Sequence, residues 1–290
     1  MTAAVEALHA GFGADPLPEA PLRTQVETDA GALYLMPAFG PPGVGVKIVT
    51  LTGSNPERGL PFIHALYVLF DAETQGPIVV IDGGALTALR TAAVSGLATR
   101  FLAREDARRL VIYGAGVQAR SHLDAMRAVR PIEEVVVVSR GAGATEDLVG
   151  RATNLGLRAT VGEPGAERYA DVVCTCTTSA TPVVVGAGLP VGVHINAVGA
   201  YLPTMREIDT DGVRQAKVVV ETRDAALAEA GDLLIPIGEG AIGEDHVVAD
   251  LAEVVRGASV RGSADDITLF KSVGVAFEDL IVARAAVDRR

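Results

Sequence analysis

The chain of 290 residues contains no tryptophan, only two cysteines and 4% aromatic residues, although 49% of its residues are hydrophobic. Its core must therefore consist mainly of alanine, valine, leucine and isoleucine, which suit strands buried on both faces of a parallel sheet. Two cysteines are too few for a disulfide framework, so we expect a reducing, cytoplasmic location. The length allows one large domain or two modest ones.

Charge and hydropathy exclude several other classes of protein. The net charge is −11 and no basic stripe is visible, which argues against a nucleic-acid partner. No apolar run approaches the ~20 residues that a membrane helix needs, and the first residues lack the basic and apolar regions of a signal peptide. We expect no membrane, no nucleic acid and no metal site, and a small molecule as the ligand.

A glycine turn in the middle of the chain carries the clearest functional pattern. The apolar run 110–113 predicts a buried strand, and Gly114, Ala115 and Gly116 break it before a predicted helix. Gly114 permits a tight turn, Gly116 leaves the backbone open to a pyrophosphate, and Ala119 lets helix and strand pack closely. The N-terminus of the helix offers N–H groups to the phosphates. This context favours a dinucleotide site over a purely structural turn.

The hydrophobic period changes along the chain and predicts two kinds of sheet. Residues 20–82 alternate between apolar and polar and predict an antiparallel meander, followed by a helix over 86–102. Strands alternating with helices then predict βαβ units and a parallel sheet, with strands at 110–113, 135–139, 172–175, 194–197 and 218–220. In the last third we predict helices over 225–230 and 247–256, and a turn over 265–279 that leads into a long C-terminal helix.

The end of the second parallel strand selects the nicotinamide cofactor. An acidic residue there usually holds the ribose of NAD, but this chain has Ser139 and Arg140. Ser139 can donate a hydrogen bond to a 2′-phosphate, and Arg140 can pair with that phosphate or stack on adenine. An arginine on a solvated loop is the alternative. We predict that NADP(H) is preferred and that NAD(H) is possible.

Three cations and one histidine stand out in the first hundred residues. Lys47 alternates with apolar residues and Arg90 lies in a helix of small residues, although buried cations are rare unless they are paired. A surface lysine and a snorkelling arginine are the alternatives. With Arg23, the two could bind a small carboxylate, because guanidinium groups clamp acids and an ammonium can donate a proton. His64 is a weaker candidate, since a histidine in a strand is often only structural.

These residues resemble the ornithine cyclodeaminase/mu-crystallin family from residue 21 almost to the C-terminus. The matching stretches cover residues 36–38, 45–47, 82–83, 89–95, 114–119, 194–200 and 270–274. The resemblance implies an α/β protein with a Rossmann NAD(P)-binding domain over residues 97–274. It also implies a discontinuous α+β substrate-binding and dimerisation domain, residues 1–96 plus 275–290, whose meanders join two subunits into a homodimer.

The same resemblance assigns the site residues. It implies that Arg23, Lys47 and Arg90 face the substrate, with both arginines on its carboxylate, and that Asn196 and Lys271 are neighbours of the cofactor. The cofactor-binding residues from the glycine motif and the resemblance together are Gly114, Ala115, Gly116, Val117, Gln118, Ser139, Arg140, Thr178, Ala197 and Ser272.

One departure from the family bears on the activity. The resemblance implies an essential aspartate in cyclodeaminases at the position of Tyr201. A phenol is neutral at pH 7 and cannot replace an ionised base, so it either takes part in substrate binding or only walls the pocket. The family's imine-reducing branch is the better match.

We therefore predict an NAD(P)H-dependent imine or ketimine reductase for a small 2-imino acid of the pyrroline-2-carboxylate or piperideine-2-carboxylate type. Lys47, Arg90 and Arg23 are the catalytic candidates, and His64 and Tyr201 are added for substrate binding. The alternatives are an ornithine cyclodeaminase-type lyase with bound NAD, reductive amination as in alanine dehydrogenases, and a non-enzymatic small-ligand carrier. The ring size of the substrate stays open. Glu239, Glu244 and Asp250 lie in a stretch that could line the pocket, but a solvated loop is the preferred interpretation.

Overall fold

The computed structural model describes residues 1–289 of the chain. They form two compact units: a larger unit of Thr91–Gly274 with the first two residues, and a smaller unit of Ala3–Arg90 with residues 275–289. The boundary in the middle of the chain lies at Arg90, inside a helix, whereas we had drawn it after residue 96. Within residues 1–289, no helix combines the length and the apolar character needed to cross a membrane.

The helices and strands follow one another from the first residues to the last. The helices are α1 (Thr2–Gly13), α2 (Gly83–Leu102), α3 (Val117–Val129), α4 (Ala142–Asn154), α5 (Thr210–Gln215), α6 (Arg223–Glu229), α7 (Gly231–Gly238), α8 (Leu251–Val255) and α9 (Ala276–Val287). The strands are β1 (Thr24–Thr28), β2 (Gly31–Gly40), β3 (Gly43–Leu51), β4 (Ile63–Phe70), β5 (Pro77–Asp82), β6 (Arg109–Tyr113), β7 (Glu134–Val138), β8 (Arg158–Val161), β9 (Val172–Thr175), β10 (His194–Ala197), β11 (Lys217–Val220), β12 (Val247–Asp250) and β13 (Thr268–Lys271).

The larger unit is built on an eight-stranded sheet with the order β12-β11-β13-β10-β9-β6-β7-β8. Every neighbouring pair in it is parallel. The strands β8-β7-β6-β9-β10 repeat the 3-2-1-4-5 order of a dinucleotide-binding sheet, and the order reverses between β6 and β9. The predicted α/β class and the Rossmann domain are confirmed.

Two predictions for the last third were wrong. The segment expected to be a helix over 247–256 begins with β12 and becomes helical only at Leu251. The expected turn over 265–279 contains β13, which lies between β10 and β11 in the sheet. All four β13 residues are buried, Lys271 among them. A strand of four residues is too short to show a period, which is why the hydrophobic pattern missed both strands.

The smaller unit contains the predicted meander, with β1 to β5 paired in chain order as an antiparallel sheet. One face of this sheet packs on α9, which is buried along most of its length. On α1, Phe12 meets Phe277 of α9 edge to face with ring centroids 5.1 Å apart. The apolar residues of these elements give the unit its own core.

The other face of this sheet, here called the outer face, is apolar and exposed. The register pairs Ile48 with Leu66 across β3 and β4, and Val68 with Val80 across β4 and β5, so these side chains share one face. The large hydrophobic residues exposed on the outer face are Val26, Phe39, Ile48, Leu66 and Val80. Proteins commonly associate through apolar surface that is exposed in this way.

Candidate active site

The turn between β6 and α3 has the geometry that a pyrophosphate requires. Gly114 has a φ of +105°, and a Cβ there would lie 2.5 Å from the carbonyl oxygen of Cys176. At Gly116 a Cβ would meet no atom within 4 Å. Gly114 is therefore required by the chain itself, whereas the space beside Gly116 is open for a ligand.

The N-terminus of α3 supports the same conclusion. Gly116 is the N-cap residue, and no side chain among the described residues caps it. The first N–H groups of a helix have no partner within the helix, and its dipole favours an anion there. The turn lies after β6, at the point where the strand order reverses, so these residues fit the diphosphate of a dinucleotide.

The remaining cofactor candidates lie at the carboxyl ends of neighbouring parallel strands. Ser139 and Arg140 are exposed directly after β7, and no carboxylate stands there. Thr178 is exposed after β9, Ala197 is buried at the end of β10, and Ser272 is buried after β13. The carboxyl ends of parallel strands share one edge of a sheet, which is where open α/β sheets bind ligands.

Two residues expected beside the cofactor belong to buried polar contacts. Asn196 donates to the Thr99 hydroxyl at 2.9 Å. Lys271 is fully buried, with its Nζ 2.8 Å from Asp232 and 2.5 Å from the carbonyl oxygen of Ala200. Both residues therefore hold the strand ends of the larger unit in place.

In the smaller unit, Lys47 and Arg90 are buried and paired, as the rarity of unpaired buried cations requires. Lys47 Nζ lies 2.8 Å from Asp279 Oδ2. Arg90 places Nη1 2.8 Å from Glu278 Oε2 and Nε 3.4 Å from Asp279 Oδ1. Both carboxylates lie in the first turn of α9 and are fully buried. These four residues are called the buried charge cluster below.

The position of Lys47 follows from strand alternation. Buried and partly exposed residues alternate along β3, and Lys47 belongs to the buried set that faces α9. Across the strands it is paired with Met36 on β2 and Tyr67 on β4. The Tyr67 ring covers Gly45, where a Cβ would overlap the hydroxyl. A glycine at 45 thus lets a buried phenol lie on the same face as the ammonium.

Burial dominates the electrostatics of this group. Burial lowers the pKa of Lys47 from 10.5 to about 8, the Asp279 carboxylate raises it in part, and Arg90 and Arg23 lower it further. Burial, then the charge of Asp279, raises the pKa of the Tyr67 phenol, which therefore stays protonated. Lys47 is thus a cation at neutral pH that loses its proton within the range an enzyme uses.

Arg23 and His64 were also predicted near the substrate, and their placements differ. Arg23 is half-buried just before β1, and its charge acts on Lys47. His64 is exposed and pairs across the strands with Thr50, on the face of the sheet opposite to Lys47. The structure therefore does not bring His64 together with Lys47, because the register puts them on opposite faces.

Sequence comparison now identifies the family. The profile of the Ornithine cyclodeaminase/mu-crystallin family matches residues 1–290. The chain belongs to this family. A Delta(1)-pyrroline-2-carboxylate reductase of Bacillus cereus is 38% identical over 262 residues, which cover 87% of this chain and 79% of the relative.

Solved structures of the ornithine cyclodeaminase/mu-crystallin family have the same fold. The Thermococcus litoralis Delta(1)-pyrroline-2-carboxylate reductase in complex with NADH and L-proline superposes with a TM-score of 0.95 at 37% identity, over 99% of this chain and 92% of that one. An archaeal alanine dehydrogenase dimer with bound NAD gives a TM-score of 0.94 at 33% identity, over 99% and 90%.

Tyr201 stands at the position that the resemblance assigns to the cyclodeaminase aspartate, and the next acidic residue along the chain is Glu207. Glu207 is the buried carboxylate close by in sequence, but the Thr175 and Thr177 hydroxyls and the backbone N–H groups of Thr177, Gly199 and Ala200 donate to its oxygens at 2.6–3.3 Å. Burial, then the charge of Asp232, raises the pKa of this carboxyl, but the hydrogen bonds direct both of its oxygens toward the protein.

Two of the three acidic residues whose role in the pocket was left open have structural contacts. Glu239 is exposed and pairs with Arg206 at 3.2 Å. Asp250 caps α8 through a capping box with Glu253. Glu244 is exposed. None of these contacts indicates a role toward a ligand.

Sequence reasoning missed Glu278, Asp279 and Tyr67. The sequence did contain a signal for Glu278 and Asp279, since they are two adjacent acids in an apolar segment. Two buried cations require buried anions as partners. For Tyr67 there was no signal, because the register of β3 and β4 decides which residue stands opposite Lys47.

Proposed function

We propose that this chain is an imine reductase that uses a reduced nicotinamide dinucleotide to convert a small cyclic 2-imino acid into the amino acid. The observation that carries the proposal is the buried Lys47 ammonium, fixed by Asp279 beside Arg90. The Bacillus cereus and Thermococcus litoralis relatives are Delta(1)-pyrroline-2-carboxylate reductases, and the latter binds NADH and L-proline. Pyrroline-2-carboxylate and piperideine-2-carboxylate are therefore the preferred substrates.

The chain's own residues supply binding and a proton. Arg23 and Arg90 hold the carboxylate of the imino acid and orient its C=N bond. The cofactor, when bound, supplies a hydride to the imine carbon. Lys47 gives its proton to the imine nitrogen, which becomes the amine, and the neutral Lys47 then regains a proton from solvent. With one hydride and one proton added, the charges balance.

The cofactor preference that we propose is NADP(H). The exposed Ser139 and Arg140 follow β7, and a 2′-phosphate gains from a guanidinium and from the lack of a carboxylate at this position. The complexes of relatives contain NADH or NAD. NAD(H) is therefore kept as a second substrate to be measured in parallel.

The assembly that we propose is a homodimer joined through the outer face. Its exposed residues, such as Leu66 and Val80, form an apolar surface of the kind that dimers bury. The archaeal alanine dehydrogenase relative is a dimer. In this proposal the smaller unit binds substrate and forms the dimer, the larger unit binds the cofactor, and the free cysteines agree with a reducing cytoplasm.

Reductive amination is the second candidate, because an alanine dehydrogenase is among the relatives. The same cations would bind pyruvate, and ammonia would form the imine that is then reduced. A cyclodeaminase-type lyase is less well supported, since Tyr201 is a neutral phenol and Glu207 is saturated with hydrogen bonds.

The test is oxidation of NADPH, with NADH in parallel, on pyrroline-2-carboxylate and piperideine-2-carboxylate. Pyruvate with ammonia tests reductive amination, and ornithine with NAD⁺ tests the lyase. We expect imine turnover, and we expect Lys47→Met to lower kcat by about 100-fold or more while the Kd for NADPH stays within about twofold. Proline and ammonia from ornithine without imine turnover would contradict the proposal.

A further inference from the structure

Two adjacent carboxylates in the first turn of α9 contact different cations. Asp279 Oδ2 is 2.8 Å from Lys47 Nζ, and Glu278 Oε2 is 2.8 Å from Arg90 Nη1. Successive residues of a helix point about 100° apart, so neighbours in sequence reach different partners. Both carboxylates are fully buried, as is the charge that each one meets. Burying charged groups costs desolvation free energy that their pairing often does not recover. We therefore look for a role in the reaction that accounts for the two pairs.

We infer that Glu278 and Asp279 are positioning residues with separate tasks in the reaction. Asp279 keeps Lys47 charged and directs its ammonium for proton transfer to the imine nitrogen. Glu278 fixes the plane of the Arg90 guanidinium for the carboxylate of the imino acid. The inference rests on the proposed function, since the two tasks belong to an imine reduction.

Lys47 lies in surroundings that disfavour its charged form. An ammonium in this position is taken out of water, which favours its neutral form, and two guanidinium groups add repulsion. The charged and titratable groups around it are Asp279 and Glu278 on α9, Arg90 on α2, Tyr67 on β4 and Arg23 before β1. Within this group, Asp279 is the carboxylate that accepts a hydrogen bond from Lys47, at 2.8 Å through Oδ2, while its Oδ1 lies 3.4 Å from Arg90 Nε.

The hydrogen bond between Lys47 and Asp279 also fixes the direction in which the ammonium group points. Lys47 Nζ is the donor and Oδ2 the acceptor, and both side chains lie in a packed interior. A lysine has four rotatable bonds, so an ammonium without a fixed partner would sample several positions. A proton donor must be held within hydrogen-bond reach of the atom it protonates. Asp279 therefore both stabilises the charge of Lys47 and fixes the position of its ammonium group.

Glu278 acts on the orientation of Arg90 and not on its charge. Arg90 is contacted through Nη1 by Glu278 and through Nε by Asp279, at 2.8 Å and 3.4 Å. The hydrogen bond from Nη1 to Glu278 restrains the plane of the guanidinium, and the ion-pair contact of Nε with Asp279 adds to it. Its charge does not depend on Glu278, because arginine stays protonated in proteins. Loss of Glu278 should therefore weaken substrate binding and leave the proton donor unchanged.

The chain is well suited to a direct test, because it contains only three lysines, Lys47, Lys217 and Lys271. The full-length protein labelled with ¹³C at the lysine Cε carbons gives three signals, and Lys47→Arg identifies the signal of Lys47. The pH titration is recorded for the wild type, Asp279→Asn, Asp279→Glu and Glu278→Gln. Asp288→Asn serves as the matched control, because it removes an exposed carboxylate just after α9.

We expect the wild-type Lys47 signal to titrate near pH 8. In Asp279→Asn it should titrate at least about 1 pH unit lower, because the stabilising anion is gone. Asp279→Glu should restore most of that shift, and Glu278→Gln and Asp288→Asn should leave the titration near its wild-type position. If Asp279→Asn does not fold, the wild-type titration still decides, because a Lys47 that is neutral at pH 7 would overturn the inference.

Kinetics supply the second measurement. The basic limb of kcat/KM for pyrroline-2-carboxylate should move to lower pH in Asp279→Asn by the same amount as the Lys47 signal. Glu278→Gln should raise KM about tenfold and leave the basic limb in place. A purely structural role would lower activity equally at all pH values. An unmoved limb in Asp279→Asn, or an equal shift in Glu278→Gln, would overturn the inference.

The two levels of the proposal fail in different ways. A wild-type protein that turns over no imine would overturn the proposed function and, with it, the catalytic task of Asp279, whatever the lysine titration shows. Imine turnover together with a Lys47 titration that Asp279→Asn leaves unmoved would uphold the function and reject the division of tasks on α9.

Discussion

The carboxylate of Glu221, just after β11, accepts a hydrogen bond of 2.6 Å from the hydroxyl of Ser272, just after β13. The same carboxylate accepts the backbone N–H groups of Val273 and Gly274 at 2.8–3.1 Å. Glu221 and Ser272 are 1% exposed. The Ser272 proton is directed to Glu221, so in the proposed cofactor site the serine oxygen would act as an acceptor.

Replacement of Glu221 by glutamine should therefore weaken cofactor binding. The amide would present a donor where three donors now converge, so the Ser272 segment should lose its fixed position. We expect the Kd for NADPH to rise about tenfold, measured by fluorescence titration, with a smaller change in KM for the imine. Ser272→Ala should have a similar effect, and the double variant should add little. Independent, additive effects would show that Glu221 does not act through Ser272.

Local pattern predicted five of the eight parallel strands of the larger unit, namely β6, β7, β9, β10 and β11. The strand before Gly114 and the helix after Gly116 follow from residues close together in sequence, and the parallel sheet follows from repetition of that unit. The position of β13 could not be predicted, because its place between β10 and β11 is set by long-range pairing. A four-residue strand that contains Lys271 also lacks a recognisable period.

The two glycines of the turn should respond differently to substitution. Gly114→Ala places a Cβ 2.5 Å from the Cys176 carbonyl oxygen at a φ of +105°, so the unliganded protein should lose stability by more than ~1 kcal/mol. A Cβ at Gly116 meets no atom within 4 Å, so we expect the Tm of Gly116→Val to stay near that of the wild type. The substitution should instead raise the Kd for NADPH at least about tenfold, because the side chain occupies the space proposed for the diphosphate.

Thermal unfolding without ligand and fluorescence titration with NADPH distinguish the two effects. A Gly116→Val protein that binds NADPH normally would show that the diphosphate does not approach Gly116.

The residues after β7 should decide between the two cofactors. Ser139→Asp introduces a carboxylate that repels a 2′-phosphate and can accept a hydrogen bond from the ribose hydroxyl of NADH. We expect the ratio of kcat/KM for NADPH to that for NADH to fall by about tenfold or more. Arg140→Ala should lower the NADPH value alone. The control is Arg151→Ala, which removes an exposed arginine that pairs with Asp124 on the larger unit's surface. An unchanged ratio in Ser139→Asp would mean that this strand end does not meet the 2′ position.

In the smaller unit, the sequence predicted the two cations but not the carboxylates that pair with them. Lys47 and Arg90 stood out because a charge among apolar residues needs an explanation. Their partners lie 188 to 232 residues further along the chain, on α9. His64 was misplaced for a related reason, since only the β3–β4 register shows that it shares a face with Thr50 and not with Lys47.

Two buried histidines should make the larger unit sensitive to acid. His122 contacts the Ser95 hydroxyl at 2.9 Å and the Gln118 carbonyl oxygen at 2.8 Å, and burial lowers its pKa from 6.5 to about 4. Burial, with the charge of Arg261, lowers the pKa of His194 to about 3. Between pH 6.5 and these values the unfolded chain binds protons that the folded chain does not. The stability present above pH 6.5 is therefore lost as the pH falls.

The size of this effect can be measured with His122→Gln. Each such histidine should lower the free energy of unfolding by roughly 1.4 kcal/mol per pH unit below pH 6.5, down to the folded pKa. The glutamine variant should be less stable than the wild type at pH 7, because it loses packing in a filled site, but the difference should shrink by about 2–3 kcal/mol as the pH falls to 4.5. Urea unfolding at a series of pH values, with the exposed His64→Gln as control, measures both slopes. Parallel curves for wild type and His122→Gln would mean that His122 becomes protonated without unfolding, and that its burial does not set the acid limit of this fold.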